Sequence, residues 1–552
     1  MTTGDVIAVS GRHGATAGAL PVVDRDGRDT VHAPAVAARR FPVLPVEWVA
    51  LVVALILRVP FLQAPAAPDE AGFLQVAGQW SSGGGSLYGR YWVDRPPLLI
   101  GIYQLAAAAG GIVPLRLLGC AAVAVTVLAC AATARMVGGR AAARWSAVIA
   151  AALLVAPQLG AQEVNGELLA APFVALGVWA LVGVVGAPRT AAAAWRAAAA
   201  GMAATGAVLV KQNIVDVFVF AAVLSAVLAV HAPRPGGHRS VRTSAVVGGF
   251  TVGAAAAATI VGGWAVLHGT SLADTWQAMY AFRVQAAHVV AEGGGSGYAE
   301  VRALELGQEW VRSGLVLITV AVLASVRRWH REPVMVALVA TMAFDLASAA
   351  LGGGYWRHYL VQLVVPAAVA VGVLAGRADR VARVATLGAA GLTAVAALGA
   401  TFVVPPTPTA ATVGAAVARA GEPGDTLTTL YGDPRVNLAA GMSSPYANLW
   451  SLPIRTRDPH LTDLHTVLAG RHRPTWLVVL RHVSSWGLDT SRLARLVGTH
   501  YHPVADCGGV HVYLRRRVSR PTPTCTSAAI ALTATRWAPP TTLRRPGTVS
   551  RR

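Results

Sequence analysis

The chain has 552 residues, 55% of them hydrophobic and only 13% charged, and its formal net charge is +20. So little charge on so apolar a chain excludes an ordinary soluble globular protein. The basic excess is mostly arginine in short loops and tails, where a membrane protein needs it for orientation, so it does not point to nucleic acid.

Residues 1–40 are polar, rich in Gly, Asp and Arg, and lack periodicity, which predicts a disordered cytoplasmic tail. Arg39 and Arg40 precede the first apolar run, 44–62, and set the N-terminus inside. Ala64-Pro65-Ala66 resembles a signal-peptidase site, but the long polar leader favours an uncleaved first helix. That helix opens into an external loop, 63–97. Here Asp69 and Glu70 are followed by Phe73, Trp80, Tyr88, Tyr91 and Trp92 and then by Asp94-Arg95-Pro96-Pro97. Residues 98–109 are apolar but short, bounded by Pro-Pro and Gly-Gly, and are not expected to cross. Spans are predicted at 115–134, 145–160, 168–187, 197–210, 214–230, 244–267, 313–326, 333–351, 358–376 and 384–404. Each arginine cluster between them falls on one side, beginning with Arg135, Arg140 and Arg144. A second external loop, 268–312, carries TWQAMYAFRVQAAHVV and a glycine-rich turn, and is amphipathic enough to lie on the membrane and gate a site. Its glycines follow no strand, so they do not form a nucleotide loop.

The fold class is therefore an all-α polytopic membrane protein of about eleven transmembrane helices over residues 41–404. After Pro405 and Pro406 the character changes. Strand-like runs at 426–431, 475–480 and 510–514 alternate with helical patterns and predict a small extracytoplasmic α/β domain, 405–515. Residues 516–552 read as a disordered basic tail. The setting is the plasma membrane, with the N-terminus cytoplasmic and the C-terminal domain outside. Of four cysteines, Cys120 and Cys130 lie in an apolar run and Cys507 and Cys525 lie late, with no CxxC and no metal spacing.

This topology brings Asp69-Glu70, Glu163-Asn165-Glu167, Lys211, loop 268–312 and Tyr355–Tyr359 to one membrane mouth. The order of features in the first external loop carries a resemblance. Arg58 ends the first span, Asp69-Glu70 follows soon after, then Gly85-Ser86-Leu87-Tyr88, then Asp94-Arg95-Pro96-Pro97-Leu98 opens the next apolar segment. The stretch resembles the first external loop of GT-C glycosyltransferases, nearest the branch of protein O-mannosyltransferases and lipid A aminoarabinose transferases. That family usually has lysine before Pro-Pro-Leu, where this chain has Arg95; a planar fork replaces a flexible point charge. The resemblance implies a GT-C fold, a polyprenyl-phosphate-linked sugar as donor, an acceptor on the outer face, and no cofactor, with a divalent metal left open.

Such a transfer needs a carboxylate for the acceptor hydroxyl, cations for the leaving phosphate, and a groove for the lipid tail. The resemblance gives Asp69 the role of base and Glu70 that of fallback or positioning neighbour. The competing reading is that the pair caps a helix N-terminus. Glu163 and Glu167, four residues apart, would share a helix face around a substrate or cation, with Asn165 between them; a dipole effect at a helix start is the plainer account. Lys211, isolated between short apolar segments, is a candidate for the phosphate, together with Arg95, Arg58, Arg357 and His358. Interfacial anchoring beside Trp356 and Tyr359 accounts equally for the last two. Asp94 and Tyr88 are assigned to substrate positioning. A transporter or lipid-linked saccharide flippase is the rival from another class, since it too needs intramembrane charges; a non-catalytic scaffold is the third.

Overall fold

The computed structural model describes residues 45–81, 86–230, 237–292, 296–402, 409–480 and 490–525. The expected tail 1–40 and most of the tail after 516 lie outside these. The described part of the membrane region is helical throughout: α1 (Val46–Arg58), α2 (Pro68–Ser81), α3 (Pro97–Ala108), α4 (Ile112–Leu153), α5 (Gly166–Val185), α6 (Thr190–Val210), α7 (Asp216–Val230) and α8 (Gly237–Leu267). The second external loop folds as α9 (Leu272–Trp276), a π turn (Gln277–Ala281), α10 (Phe282–Glu292) and α11 (Ser296–Arg312). Then come α12 (Leu315–Ala324), α13 (Val326–Trp329), α14 (Pro333–Leu351), a 3-10 segment (Arg357–Leu363), α15 (Val364–Gly376) and α16 (Arg380–Phe402).

Two expected spans, 115–134 and 145–160, lie within the single 42-residue helix α4. At 1.5 Å per residue this is about 63 Å, twice a bilayer core. Gly139, at φ 77°, breaks it into two legs. Arg58 lies beside Gly119 on the first leg and donates to the carbonyl of Leu154 at the end of the second. Both ends of α4 therefore meet the outer end of α1, and the helix is a hairpin. Arg377 closes the far side by donating to the Val137 carbonyl and to Glu332. The turns around residues 137, 332 and 377 thus lie together at one end of the bundle.

Helix α3 has 12 residues and rises about 18 Å, against the roughly 30 Å of a bilayer core. At that length it is too short to cross a bilayer core by itself. Among the described residues seven helices are long and apolar enough to span, or eight if the bent pair α11 and α12 is counted as one span. The figure falls below eleven because α4 counts once and because α1, α7 and α12 have only 13, 15 and 10 residues.

The C-terminal domain builds a four-stranded sheet in the order β1-β2-β4-β3, from β1 (Leu427–Leu430), β2 (Trp476–Val479), β3 (Tyr501–Asp506) and β4 (His511–Arg515). β1 and β2 are parallel and buried along their whole length, as expected for strands covered on both faces, and β1 forms one edge of the sheet. α17 (Thr409–Ala420), α18 (Pro434–Ala440), α19 (Ser451–Arg457), α20 (Thr462–Ala469) and α21 (Ser491–His500) provide the helical layers. β3 escapes sequence reading because Pro503 and a register shift interrupt its alternation, which an edge strand tolerates. The stretch 516–525 corrects the expected tail: Cys525 is bonded to Cys507, and Arg520 grips Asp425 at 2.9 Å. Burial raises the Asp425 carboxyl, but hydrogen bonds from Arg520, the Glu422 backbone and Trp476 outweigh it and hold the group below its usual range.

The bridge between Cys507 and Cys525 closes a loop of 18 residues, for which chain entropy gives about 3 kcal/mol. Replacing both cysteines by serine should lower the unfolding free energy of the C-terminal domain by that amount. Thermal unfolding of the full protein under non-reducing conditions measures it, and reduction of the parent should reproduce the loss.

Candidate active site

Polar residues from five separate stretches of sequence meet where α2, α5, α6 and the 3-10 segment end. Asp69, in the first turn of α2, keeps 34% of its side chain exposed and lies 4.0 Å from the Arg95 guanidinium. Arg95 also holds Asp94 at 2.7 Å and stacks over Phe73 at 5.4 Å. Asp94 is gripped from its other side by Arg283 at 2.5 Å. Burial pushes the Asp94 carboxyl up, but Arg283 and Arg95 together outweigh this and hold it below its usual range. Burial likewise lowers the Arg95 pKa, and Asp94 and Asp69 more than reverse it.

Behind this pair sits Glu167, in the first turn of α5, bonded to Lys211 and 3.8 Å from His358 Nε2. Lys211 caps the end of α6 and lies 4.8 Å over the Tyr359 ring. Glu163 meets Arg357 at 2.9 Å, and both are about half exposed. Burial raises the Glu163 carboxyl, and Arg357 only partly offsets it. Arg95, Arg283 and Lys211 lie within electrostatic reach of one another. Three cations thus answer Asp69, Asp94 and Glu167 in one cleft.

Several sequence assignments change here. Glu70 is fully buried: Arg116 clasps it with two bonds of 2.5 Å, and the amides of Ala67 and Val164 donate to it at 2.8 Å. With all its acceptor positions occupied it does not reach a substrate. It also reaches back to the residue preceding Pro68, so the capping reading belongs to Glu70 and leaves Asp69 free. Arg58 is buried too, and donates to the carbonyls of Leu154, Ala161 and Gln162, which the end of α4 and its loop leave unpaired. It holds that loop and does not face the cleft. Glu163 and Glu167 do not share a helix face, because α5 starts only at Gly166; Asn165 is its N-cap, accepting from the Leu168 amide at 2.9 Å. Each glutamate instead has its own cation. The Tyr88 hydroxyl donates to the Arg95 carbonyl at 2.9 Å and so shapes the loop. Lys211, Arg95, His358, Asp94 and Asp69 do come together, while Arg357 pairs with Glu163.

Arg283, Arg116 and Gln212 went unnoticed in the sequence. Arg116 had a signal, as the lone charge at the start of an apolar run. Arg283 had none beyond its place in the amphipathic loop. Gln212 follows Lys211 and donates to the carbonyls of Asp94, at 3.1 Å, and Met279, at 3.4 Å, which ties three segments together. The C-terminal domain closes over α2: Trp450 fills the space a Cβ at Gly72 would need and meets Phe73 at 5.4 Å. The Ser444 amide donates to the Tyr91 hydroxyl, and Gln75 to the Pro434 carbonyl, both at 2.8 Å. Among the described residues no group of three or more His, Cys, Asp or Glu is placed to hold a metal ion.

The apo oligosaccharyltransferase of Archaeoglobus fulgidus superposes on the chain with a TM-score of 0.50 and 12% identity, over 86% of this chain and 75% of that one. The chain has the GT-C fold. ArnT from Cupriavidus metallidurans, in its complex with undecaprenyl phosphate, also matches, with a TM-score of 0.47 and 16% identity over 85% of this chain and 98% of that one. No protein-family model and no curated protein matches the sequence. The likeness is one of fold.

Because Glu70 and Arg116 are both buried, Arg116→Met should strip a charged carboxylate of its partner and destabilise the protein by about 3–5 kcal/mol. Adding Glu70→Gln removes that charge and should recover most of the loss. Thermal unfolding of the single and double variants in detergent reads both effects.

Proposed function

We propose that the chain is a membrane glycosyltransferase that moves a sugar from a polyprenyl phosphate to a hydroxyl acceptor on the extracytoplasmic side. The carrying observation is Asp69, the carboxylate of the central cluster that stays a third exposed and lies beyond normal hydrogen-bond distance from its cation. Asp94 and Glu167 are each held by a close cationic partner, and Glu70 is sealed away. Asp69 accepts the proton of the acceptor hydroxyl as its oxygen bonds to the anomeric carbon. The bond from that carbon to the phosphate oxygen breaks, and its electron pair leaves with the polyprenyl phosphate. Arg95 and Arg283, the latter 36% exposed, stabilise the charge that develops there. Lys211 adds its charge from behind while bonded to Glu167. The ArnT crystal structure with undecaprenyl phosphate and the archaeal oligosaccharyltransferase structure with dolichol phosphate and an inhibitory peptide concern proteins of like fold that bind such lipids. A disulfide in the C-terminal domain suits an oxidising compartment, in keeping with an extracytoplasmic face.

Asp69→Asn keeps the size of the side chain and removes the proton acceptor. It should bind polyprenyl-phosphate sugar normally and lose transfer by about a hundred- to ten-thousand-fold. Near-parental transfer, measured as release of free polyprenyl phosphate, would remove Asp69 from the mechanism. Arg283→Gln is the better probe of the phosphate than a Lys211 variant, which would leave buried Glu167 unpaired. It should weaken binding of undecaprenyl phosphate about tenfold, as the loss of one charged hydrogen bond implies, while the melting temperature holds.

Sidedness has its own test. In a background without Cys120 and Cys130, cysteines at the exposed positions Glu300 and Arg471 should react with an impermeant thiol reagent on intact cells. A cysteine at exposed Arg331 should react only after permeabilisation. The reverse pattern would place the cleft on the cytoplasmic side.

A further inference from the structure

Two carboxyl groups that take no part in the cleft face each other inside the bundle. Asp216 opens α7, Asp345 lies in α14, and both side chains are fully buried. The two helices pack along their length, and the carboxyl groups meet across the seam. Among the described residues no other side chain donates to any of their four oxygens. Around them on the same helices are the buried Val217, Phe220, Met342 and Ala349. The hydroxyl of Thr341, one turn further along α14, is turned back to the Ala337 carbonyl.

Charge balance decides what such a pair can be. Each aspartate is the single ionisable residue of its helix. On the packed neighbours, Glu167 of α5 is bonded to Lys211 at the end of α6, and Arg196 near the start of α6 donates to the Gly183 carbonyl. The 3-10 segment after α14 carries Arg357, held by Glu163, and His358 and Tyr359, which face Glu167 and Lys211. α15 carries no charged residue. Among the described residues, then, no cation faces the aspartates. Two unpaired carboxylates side by side in an apolar seam would each carry a full desolvation penalty as well as mutual repulsion. A proton between them removes at least one charge and supplies the missing donor.

We propose that Asp216 and Asp345 are joined by a proton, one carboxyl donating to the other, and that this bond positions the Lys211 loop against the 3-10 segment. Asp216 is five residues beyond Lys211, and α14 runs directly into the segment bearing His358 and Tyr359. One turn toward the mouth the same seam is continued by Asn213 and Ser348, 3.5 Å apart. A bond at the base of both segments fixes their spacing, and with it the contacts of Lys211 with Glu167 and Tyr359. The pair touches no substrate. It is a positioning device below the cleft.

Infrared difference spectroscopy of the purified protein at neutral pH tests this directly. Subtracting the spectrum of Asp216→Asn/Asp345→Asn from that of the parent should leave the C=O stretching band of a protonated carboxylic acid. If that double variant yields no folded protein, Asp345→Asn serves in the same subtraction, because an amide opposite a carboxylate also needs no shared proton. Thermal unfolding supplies the second arm: Asp345→Leu should melt well below the parent, and Asp345→Asn should restore most of the difference by donating in place of the acid. Absence of the acid band would overturn the proposal. So would a parent melting temperature that rises when sodium or calcium chloride replaces choline chloride while that of the Asn variant does not, since the carboxylates would then be holding a cation.

Discussion

The cleft depends on one buried ion pair. Arg116, near the start of α4, takes both oxygens of Glu70 and the carbonyl of Phe61, while Glu70 also receives the amides of Ala67 and Val164. A single carboxylate thereby fixes the start of α2, the end of the segment after α1, the first turns of α4 and the loop before α5. Each of these carries or borders a residue of the site. Charges this deeply buried are tolerated only when every donor and acceptor finds a partner, and this pair meets that condition. Its geometry also explains why Asp69 is left facing the cleft: the helix start is already capped from within, so the neighbouring carboxylate has no structural duty.

The same economy of charge runs through the membrane region. Arg58 pairs with carbonyls left over at the end of α4, Lys211 with Glu167, and Arg377 with Glu332 at the opposite end. The cleft differs in keeping some of its charges partly exposed, with Asp69 4.0 Å from its arginine and Arg283 36% exposed even while it holds Asp94. Loosely paired charges at the edge of a low-dielectric bundle are the groups a charged ligand can engage without first breaking a buried contact. The C-terminal domain adds to this by excluding solvent from the back of α2, where Trp450 replaces water at Gly72.

Much of the membrane architecture was legible because it is written locally. Apolar runs mark spans, arginines mark one face, and Pro-Pro and Gly-Gly around residues 98–109 mark a segment too short to cross. The convergence of Asp69, Lys211, Glu167 and His358 followed from alternation alone, since alternation fixes which ends share a side. Pairing was not legible. Nothing near Glu70 says that its partner is Arg116, and nothing near Arg58 says that it will serve carbonyls a hundred residues away. Side chains with long reach choose partners in three dimensions, so Glu70 and Arg58 were assigned to the ligand when the fold claims them. The edge strand at 501–506 and the strip ending at Cys525 were missed for a related reason. Proline and polar residues hide their regularity, and a cross-link to Cys507 holds what composition alone reads as disordered.

The buried acids of this chain show two ways of meeting one constraint. Glu167 keeps a lysine beside it, and Glu70 an arginine; in both cases a charge is retained and matched. Asp216 and Asp345 have no cation within their seam among the described residues, and the proposed proton would remove one of the two charges. The choice follows from position. Glu167 lies at the cleft, where a charge can act on a ligand, so keeping it there has a use that offsets the cost of burial. Asp216 and Asp345 lie deeper, where a charge would act on nothing and cost more. A hydrogen bond between them is directional, unlike the apolar contacts around it, and fixes the register of α7 on α14 in a way that valines and alanines sliding past one another would not. On that view the site is held at two levels, by matched charges at the mouth and by a proton shared between two carboxyl groups beneath it.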